Sequence, residues 1–227
     1  MIIETDKTVF GCNADAIVNT VNCVGFMGKG LALEFALRYP GLKEAYVFDC
    51  KAKKVHTGKV NVYRVDGATI INFPTKFHFK YPSEIQWIKE GLDDFLSIYQ
   101  GLGIKSVAFP LLGASNGGLN PSEVLALMKE RLSKTDLEVF ICHSKTPDEL
   151  EKKMLSKFNA TPIETIAANV RLTSSQRESL QKAQRHISRF YEIGGCSKIG
   201  NATYQALFDY FKMDGAAKER PEQLTLF

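Results

Sequence analysis

Two glycine-rich stretches carry the residues whose types and spacing point to chemistry. The first runs from Asn19 to Leu31, N-T-V-N-C-V-G-F-M-G-K-G-L, with Gly25, Gly28 and Gly30. The second runs from Leu111 to Leu119, L-L-G-A-S-N-G-G-L, with Gly113, Gly117 and Gly118. Where such a loop joins a strand to a helix, the first helical N–H groups are unpaired and sit at the positive end of the helix dipole. The pattern therefore suits a phosphate group. The spacing of the first loop is neither G-x-G-x-x-G nor a Walker loop ending in Gly-Lys-Ser/Thr, and a ligand-free strand-to-helix turn fits that triplet equally well. Two such loops on one sheet would face each other across the strand ends and clamp a diphosphate with backbone N–H groups. Asn19 and Asn22 stand at the end of the strand before the first loop, where open α/β sheets place ligands. Their amides offer both donor and acceptor to sugar hydroxyls. Thr75 and Lys76 lie just past another strand end, in N-F-P-T-K-F-H. A lysine there reads by itself as a solvated surface residue. Any lysine that attacks carbon does so only as a neutral amine, so such a role would require burial or a nearby cation, such as Lys80, to pull its pKa below about 10.4.

The elements that must hold these residues alternate strand and helix. Met1 to Thr5 reads as a strand with Asp6 at its exit, and Ala16 to Val21 as a second, apolar one. Helices follow over Gly30 to Tyr39, closed by Pro40, and over Gly41 to Lys53. Gly58 to Val65 and Ala68 to Phe73 are strands joined by Asp66-Gly67, a strong two-residue hairpin signal, and Pro74 stops the second. Ser83 and Gln86 form a capping box for a helix to about Gln100. In it Ile85, Ile88, Leu92, Phe95, Leu96 and Tyr99 recur at helical spacing, with Trp87 off the stripe. Lys105 to Pro110 is a strand, and the helix after the second loop opens with Asn120 as N-cap, Pro121 and Glu123. Leu137 to Cys142 is the last strand, followed by a helix from Thr146 to about Phe158. A hairpin within a βα alternation predicts a mixed sheet in an α/β fold.

The composition changes after Asn159. The expected organisation is a domain over residues 1–158, a linker over 159–173, a helical appendage over 174–217 and a flexible tail over 218–227. Within the appendage, Ser174 to Ile193 reads as one long helix and Asn201 to Met213 as another. The net charge of +4 in 227 residues, with no Lys/Arg block, does not by itself call for nucleic acid. The five cysteines include no C-x-x-C and the four histidines show no ligand spacing, so neither a metal nor a cofactor is expected. No leader and no long apolar run is apparent, so the expected home is the cytoplasm, away from membranes.

A-D-A-I-V-N-T-V-N-x-V-G-x-M-G-K-G-L-A, together with P-T-K-F-H, resembles the macrodomain, an ADP-ribose-binding module, and most of all its DarG branch. The resemblance implies a three-layer α/β/α macrodomain with a small helical C-terminal region. It places Asp6 on the adenine amino group, with further ADP-ribose contacts from Asn19, Val24, Gly25, Gly28, Lys29, Gly30, Leu31, Ala32 and Thr75. In the second loop it adds Gly113, Ala114, Ser115, Asn116, Gly117 and Gly118. It makes Lys76 the catalytic residue acting on the anomeric carbon of the distal ribose, by taking a proton or by forming an imine, while Asn22 holds the ribose hydroxyls. Ala114-Ser115 stands where the family has Cys-Gly. Gly117 and Gly118 stand where related glycohydrolases carry an aspartate, which favours a lysine-only mechanism. The implied activity is removal of ADP-ribose from bases of single-stranded DNA, neutralising a DarT-like toxin. A reader without turnover, a toxin-sequestering protein and a glycohydrolase acting on modified protein are the alternatives. The terminal Gln223-Leu-Thr-Leu-Phe227 resembles the peptide that bacterial sliding clamps bind.

Overall fold

The computed structural model describes residues 1–213. The chain divides into two compact units, Met1–Glu149 and Leu150–Phe227, described separately below.

The first unit is built on six strands: β1 (Ile2–Thr5), β2 (Ala16–Asn22), β3 (Asn61–Val65), β4 (Ala68–Lys76), β5 (Ser106–Pro110) and β6 (Glu138–Cys142). Their order is β1-β6-β5-β2-β4-β3. Every pairing is parallel except β3 with β4, which the Asp66-Gly67 turn joins with positive φ at both residues. Both faces of the sheet are covered, so its central strands are apolar on both sides. Ala16, Val18, Ile71, Phe73, Val107 and Phe109 pack against Ile88, Leu92 and Phe95 of α3 (Ile85–Ile98) and Val124 and Met128 of α4 (Pro121–Leu132). The alternate residues Ile17, Val21, Ile70 and Ala108 pack against Phe35 and Ala36 of α1 (Gly30–Arg38) and Leu42 and Tyr46 of α2 (Pro40–Lys51). This is the three-layer α/β/α arrangement expected, with the parallel strands ending together at one edge.

Two local expectations for this unit fail. Strand β4 does not stop at Pro74 but continues to Lys76. Its last pairing with β3 is Asn61 with Asn72, so β4 has no β3 partner at position 74. A proline lacking its N–H is tolerated on a strand flank without a ladder partner. Ser83 does not cap α3 either; Glu84 is the N-cap residue and no side chain caps the helix. The Ser83 amide instead donates to the Gly117 carbonyl at 2.9 Å, and Gln86 reaches Glu90. Close contact between α3 and the sheet depends on Gly91, where a Cβ would stand 2.4 Å from the Phe73 ring.

A buried ion pair fixes α1. Arg38 reaches Glu34 and Asp148, each at 2.7 Å, while its guanidinium lies 4.0 Å over the Phe10 ring. Burial opposes the charge, but the two carboxylates hold Arg38 above its ordinary pKa.

The second unit is helical. It holds most of α5 (Glu149–Ala160), followed by α6 (Ile163–Val170), α7 (Ser174–Ala183) and α8 (Asn201–Lys212). Helix α6 falls within the stretch read as a linker, because Ile163 and Ile166 are buried there. The long helix expected to run to Ile193 breaks after Ala183. Gln184 anchors to the carbonyls of Phe158 and Thr161, Arg185 adopts positive φ, and a short 3-10 turn follows over Phe190–Gly195. Phe158, Phe190, Phe208 and Phe211 form an aromatic core beside a buried Arg189–Glu151 pair at 2.7 Å. Gln223–Phe227, the stretch resembling a clamp-binding peptide, lies outside the described residues.

Candidate functional site

The first loop is shaped by Asn22. Its side-chain oxygen accepts from the amides of Val24 (3.0 Å) and Phe26 (3.3 Å), and its side-chain amide donates to the Phe26 carbonyl at 2.7 Å. Beneath it the buried Tyr46 hydroxyl donates to the Asn22 carbonyl at 2.6 Å. Burial pushes that phenol far above its ordinary pKa, so it remains a donor. The Val24 amide is thus spent inside the loop. Gly25 and Gly30 both adopt positive φ, which an L side chain resists, and the Phe26 ring covers Gly28. Asn19 is fully buried, its amide donating to Asn72 at 2.8 Å across to β4, so it faces the strand pair.

Helix α1 starts directly from this loop. Lys29 is its N-cap in extended conformation, no side chain caps it, and its first turn carries no acidic residue. The amides around Gly30, Leu31 and Ala32 therefore form an uncapped, electropositive helix start, suited to an anion.

The second loop is held from below. The Leu119 amide donates to the Gly113 carbonyl at 3.1 Å, and Gly118 to Ser115 at 3.3 Å. Gly113 and Gly118 have positive φ. A Cβ on Gly117 would come within 2.1 Å of the Gly113 carbonyl and 2.4 Å of Ser83 Oγ. Ser83 is a site residue that the sequence did not reveal, since S-x-x-Q before an apolar stripe reads as a cap. Its buried hydroxyl has no hydrogen-bond partner among the described residues. Unlike α1, α4 is capped: Asn120 Oδ1 accepts from the amides of Ser122 and Glu123.

Lys76 joins the two loops. It pairs in register with Asn22 across the parallel strands, at the point where the pairing shifts. Cys23, next in the first loop, donates its amide to the Phe77 carbonyl at 3.0 Å. The Lys76 amine donates to the Asn116 carbonyl of the second loop. Asn116 also meets the first loop, for a Cβ on Gly30 would lie 2.7 Å from its Nδ2. Burial lowers the Lys76 pKa from its ordinary value. Lys80 is not the cause; it is exposed and lies 5.9 Å from the Phe79 ring centroid. Thr75 is buried in the strand beside Lys76. Gly25, Gly28, Lys29, Gly30 and the loop from Gly113 to Gly118 thus converge on one edge of the sheet with Lys76. Asp6 stands at that edge too, but just past the end of the outermost strand, where its carboxylate meets Lys145 at 3.0 Å. A shallow hollow lined by Asn13, Asp15, Arg64, Asp66 and Ile104 lies where the strands begin, and holds none of these residues.

A partly buried amine between an uncapped helix start and a glycine loop can hold an anion and act on a carbon next to it. Comparison with known proteins bears on what that anion is. The macro domain profile matches residues 18–128. The DNA ADP-ribosyl glycohydrolase of Mycobacterium tuberculosis is 48% identical over 128 residues, which are 55% of this chain and 36% of that protein. The chain therefore spans about a third of the length of the curated relatives it matches. The macrodomain of Mycobacterium tuberculosis DarG superposes with a TM-score of 0.61 at 39% identity, covering 63% of this chain and 97% of that one. Thermosipho africanus DarTG in complex with ADP-ribose superposes with a TM-score of 0.59 at 30% identity, covering 66% of this chain and 43% of that one.

Proposed function

This chain belongs to the macrodomain family, and we propose that it is a DarG-type glycohydrolase that removes ADP-ribose from nucleobases of DNA. The relatives carry that activity in their names. The observation that carries the reading here is the Lys76 amine, partly buried and bonded to Asn116 of the second loop. On this reading the diphosphate lies between the start of α1 and the 113–118 loop. Adenine extends toward Asp6 and the distal ribose toward Lys76. Asn22 holds the loop through its side-chain oxygen and one N–H of its amide, and on this reading the second N–H of that amide serves a ribose hydroxyl.

The chemistry follows from a neutral amine beside an anomeric carbon. Lys76 Nζ attacks that carbon and forms a C–N bond. The glycosidic bond to the base breaks, its electron pair leaving on the base nitrogen, which takes up a proton. Opening of the ribose ring turns the adduct into an imine, which water hydrolyses to ADP-ribose and the free amine. Holding carbon and amine in one place supplies the orientation that makes the attack effectively unimolecular.

Such a reaction restores the base and so reverses a DarT-like toxin; one relative is a fusion of a DNA ADP-ribosyl transferase with a glycohydrolase. The proposed setting is the cytoplasm, and among the described residues no helix is long and apolar enough to cross a membrane. Recruitment to replicating DNA through Gln223–Phe227 belongs to the same proposal. The test is incubation with ADP-ribosylated single-stranded DNA and, separately, with ADP-ribosylated protein. Release of intact DNA by the wild type, lost in Lys76→Ala, is expected. Release from protein alone would move the substrate class, and binding without release would make the chain a reader.

A further inference from the structure

The two segments flanking Lys76 carry an unusual surface. The run from Lys76 to Tyr81, K-F-H-F-K-Y, interleaves rings and cations and contains no carboxylate. Phe77 is 60% exposed, Tyr81 62% and Phe79 39%, and Phe26 of the first loop is 46% exposed. Exposed aromatic side chains normally cost hydration, and here three of them, Phe26, Phe79 and Tyr81, gather in one place around His78. The Phe26 and Phe79 ring centroids are 4.4 Å apart, Phe79 stacks on His78 at 4.4 Å, and His78 lies 5.5 Å from Tyr81. The strip is anchored rather than loose, because the Cys23–Phe77 backbone bond ties the two segments together.

We propose that this strip of Phe26, Phe79, His78 and Tyr81 is a stacking platform for unpaired bases of single-stranded DNA, holding the modified base and its neighbour beside Lys76. Flat rings interleaved with lysines are what single strands use: bases stack on the rings while cations follow the phosphates. The strip is continuous with the proposed catalytic edge, so a strand lying on it presents its ADP-ribosylated base to the pocket. A duplex keeps its bases stacked on each other and gains nothing from the platform. This inference rests on the proposed DNA substrate and adds the residues that select it over ADP-ribose attached elsewhere.

The test uses the full chain and the double variant Phe79→Ala/Tyr81→Ala. The probes are an unmodified fluorescent oligonucleotide of about twelve nucleotides, within the usual site size, its duplex, and free ADP-ribose. The variant is expected to lose about tenfold or more in affinity for the single strand. Its ADP-ribose affinity should stay at the wild-type value, which also reports that it folds. On ADP-ribosylated single strands KM should rise with kcat held. Wild-type affinity of the variant for the single strand would overturn the platform. So would an equal loss on free ADP-ribose, which would make the strip a wall of the pocket, or wild-type preference for duplex. Failure of the glycohydrolase reading is a separate result, no release from DNA by the wild type, because oligonucleotide affinity is measured without turnover.

Discussion

The two glycine loops meet at Lys76, yet they end differently. The loop over 22–30 delivers an uncapped helix: among the described residues no side-chain cap bond is made at the start of α1. The loop over 111–119 delivers a capped one, because Asn120 takes the amides of Ser122 and Glu123. An uncapped start leaves donors and the positive dipole end for a ligand, while a capped start has already used some of them. On the proposed reading the charge of the diphosphate falls to the start of α1. The second loop then acts as a cover, bringing backbone close through Gly113, Gly117 and Gly118 and holding the Lys76 amine through the Asn116 carbonyl. Similar glycine content hides two different jobs.

Several experiments break or sharpen that contrast. The largest effect is expected where the loops meet. Lys76→Ala should lower release of ADP-ribose by at least about a hundredfold, while titration calorimetry finds ADP-ribose binding largely kept. A comparable loss of binding would make Lys76 a clamp instead of the reacting group. The pH profile should follow the same amine. Burial lowers the Lys76 pKa, so the neutral fraction is larger at every pH below the ordinary 10.5. The rate should climb about tenfold per pH unit on the acid side and level off below 10.5. A rate that falls with rising pH through that range would reverse the required protonation state.

Smaller effects separate the helix starts. Lys29 already has the extended conformation of an N-cap. Lys29→Asp should therefore cap α1, adding about 1 kcal/mol to stability in denaturant unfolding, while its carboxylate competes for the amides and weakens ADP-ribose binding by about tenfold. Unchanged affinity would remove α1 as the anion site. Asn120→Ala should do the opposite on α4, costing about 1 kcal/mol with ADP-ribose affinity unaltered. A gain in affinity there would show that freed amides of α4 also reach the ligand.

Much of this arrangement was legible in the sequence because it depends on local rules. Strand, glycine loop and helix can be read from spacing, and the Asn120-Pro121 start of α4 from cap chemistry. P-T-K-F-H marked Lys76 through a resemblance, though no local rule distinguishes it from a surface lysine. What escaped depends on partners distant in the chain. Pro74 looks like a strand end until β3 is seen to begin at Asn61, so that its pairing with β4 does not reach position 74. Asn22 reads as a sugar ligand, while its bonds to Val24 and Phe26, which brace the first loop, are not visible in the sequence. Ser83 looks like a cap until Gly117 claims its amide. The break of the helix expected over 174–193 depends on Gln184 reaching two carbonyls more than twenty residues back. The stacked aromatic strip was equally hidden, because Phe26 and Phe79 are far apart in sequence and meet only through the pairing of β2 with β4.

The central claim is that the Lys76 amine bonds to the distal ribose. Turnover of ADP-ribosylated single-stranded DNA in the presence of a hydride reductant, followed by peptide mass analysis, tests it directly. Reduction of the imine should fix the mass of ADP-ribose less one oxygen on the peptide containing Lys76, and on no other lysine. Continued release of ADP-ribose with no adduct at Lys76, at reductant levels that trap a known imine-forming enzyme, would contradict the account.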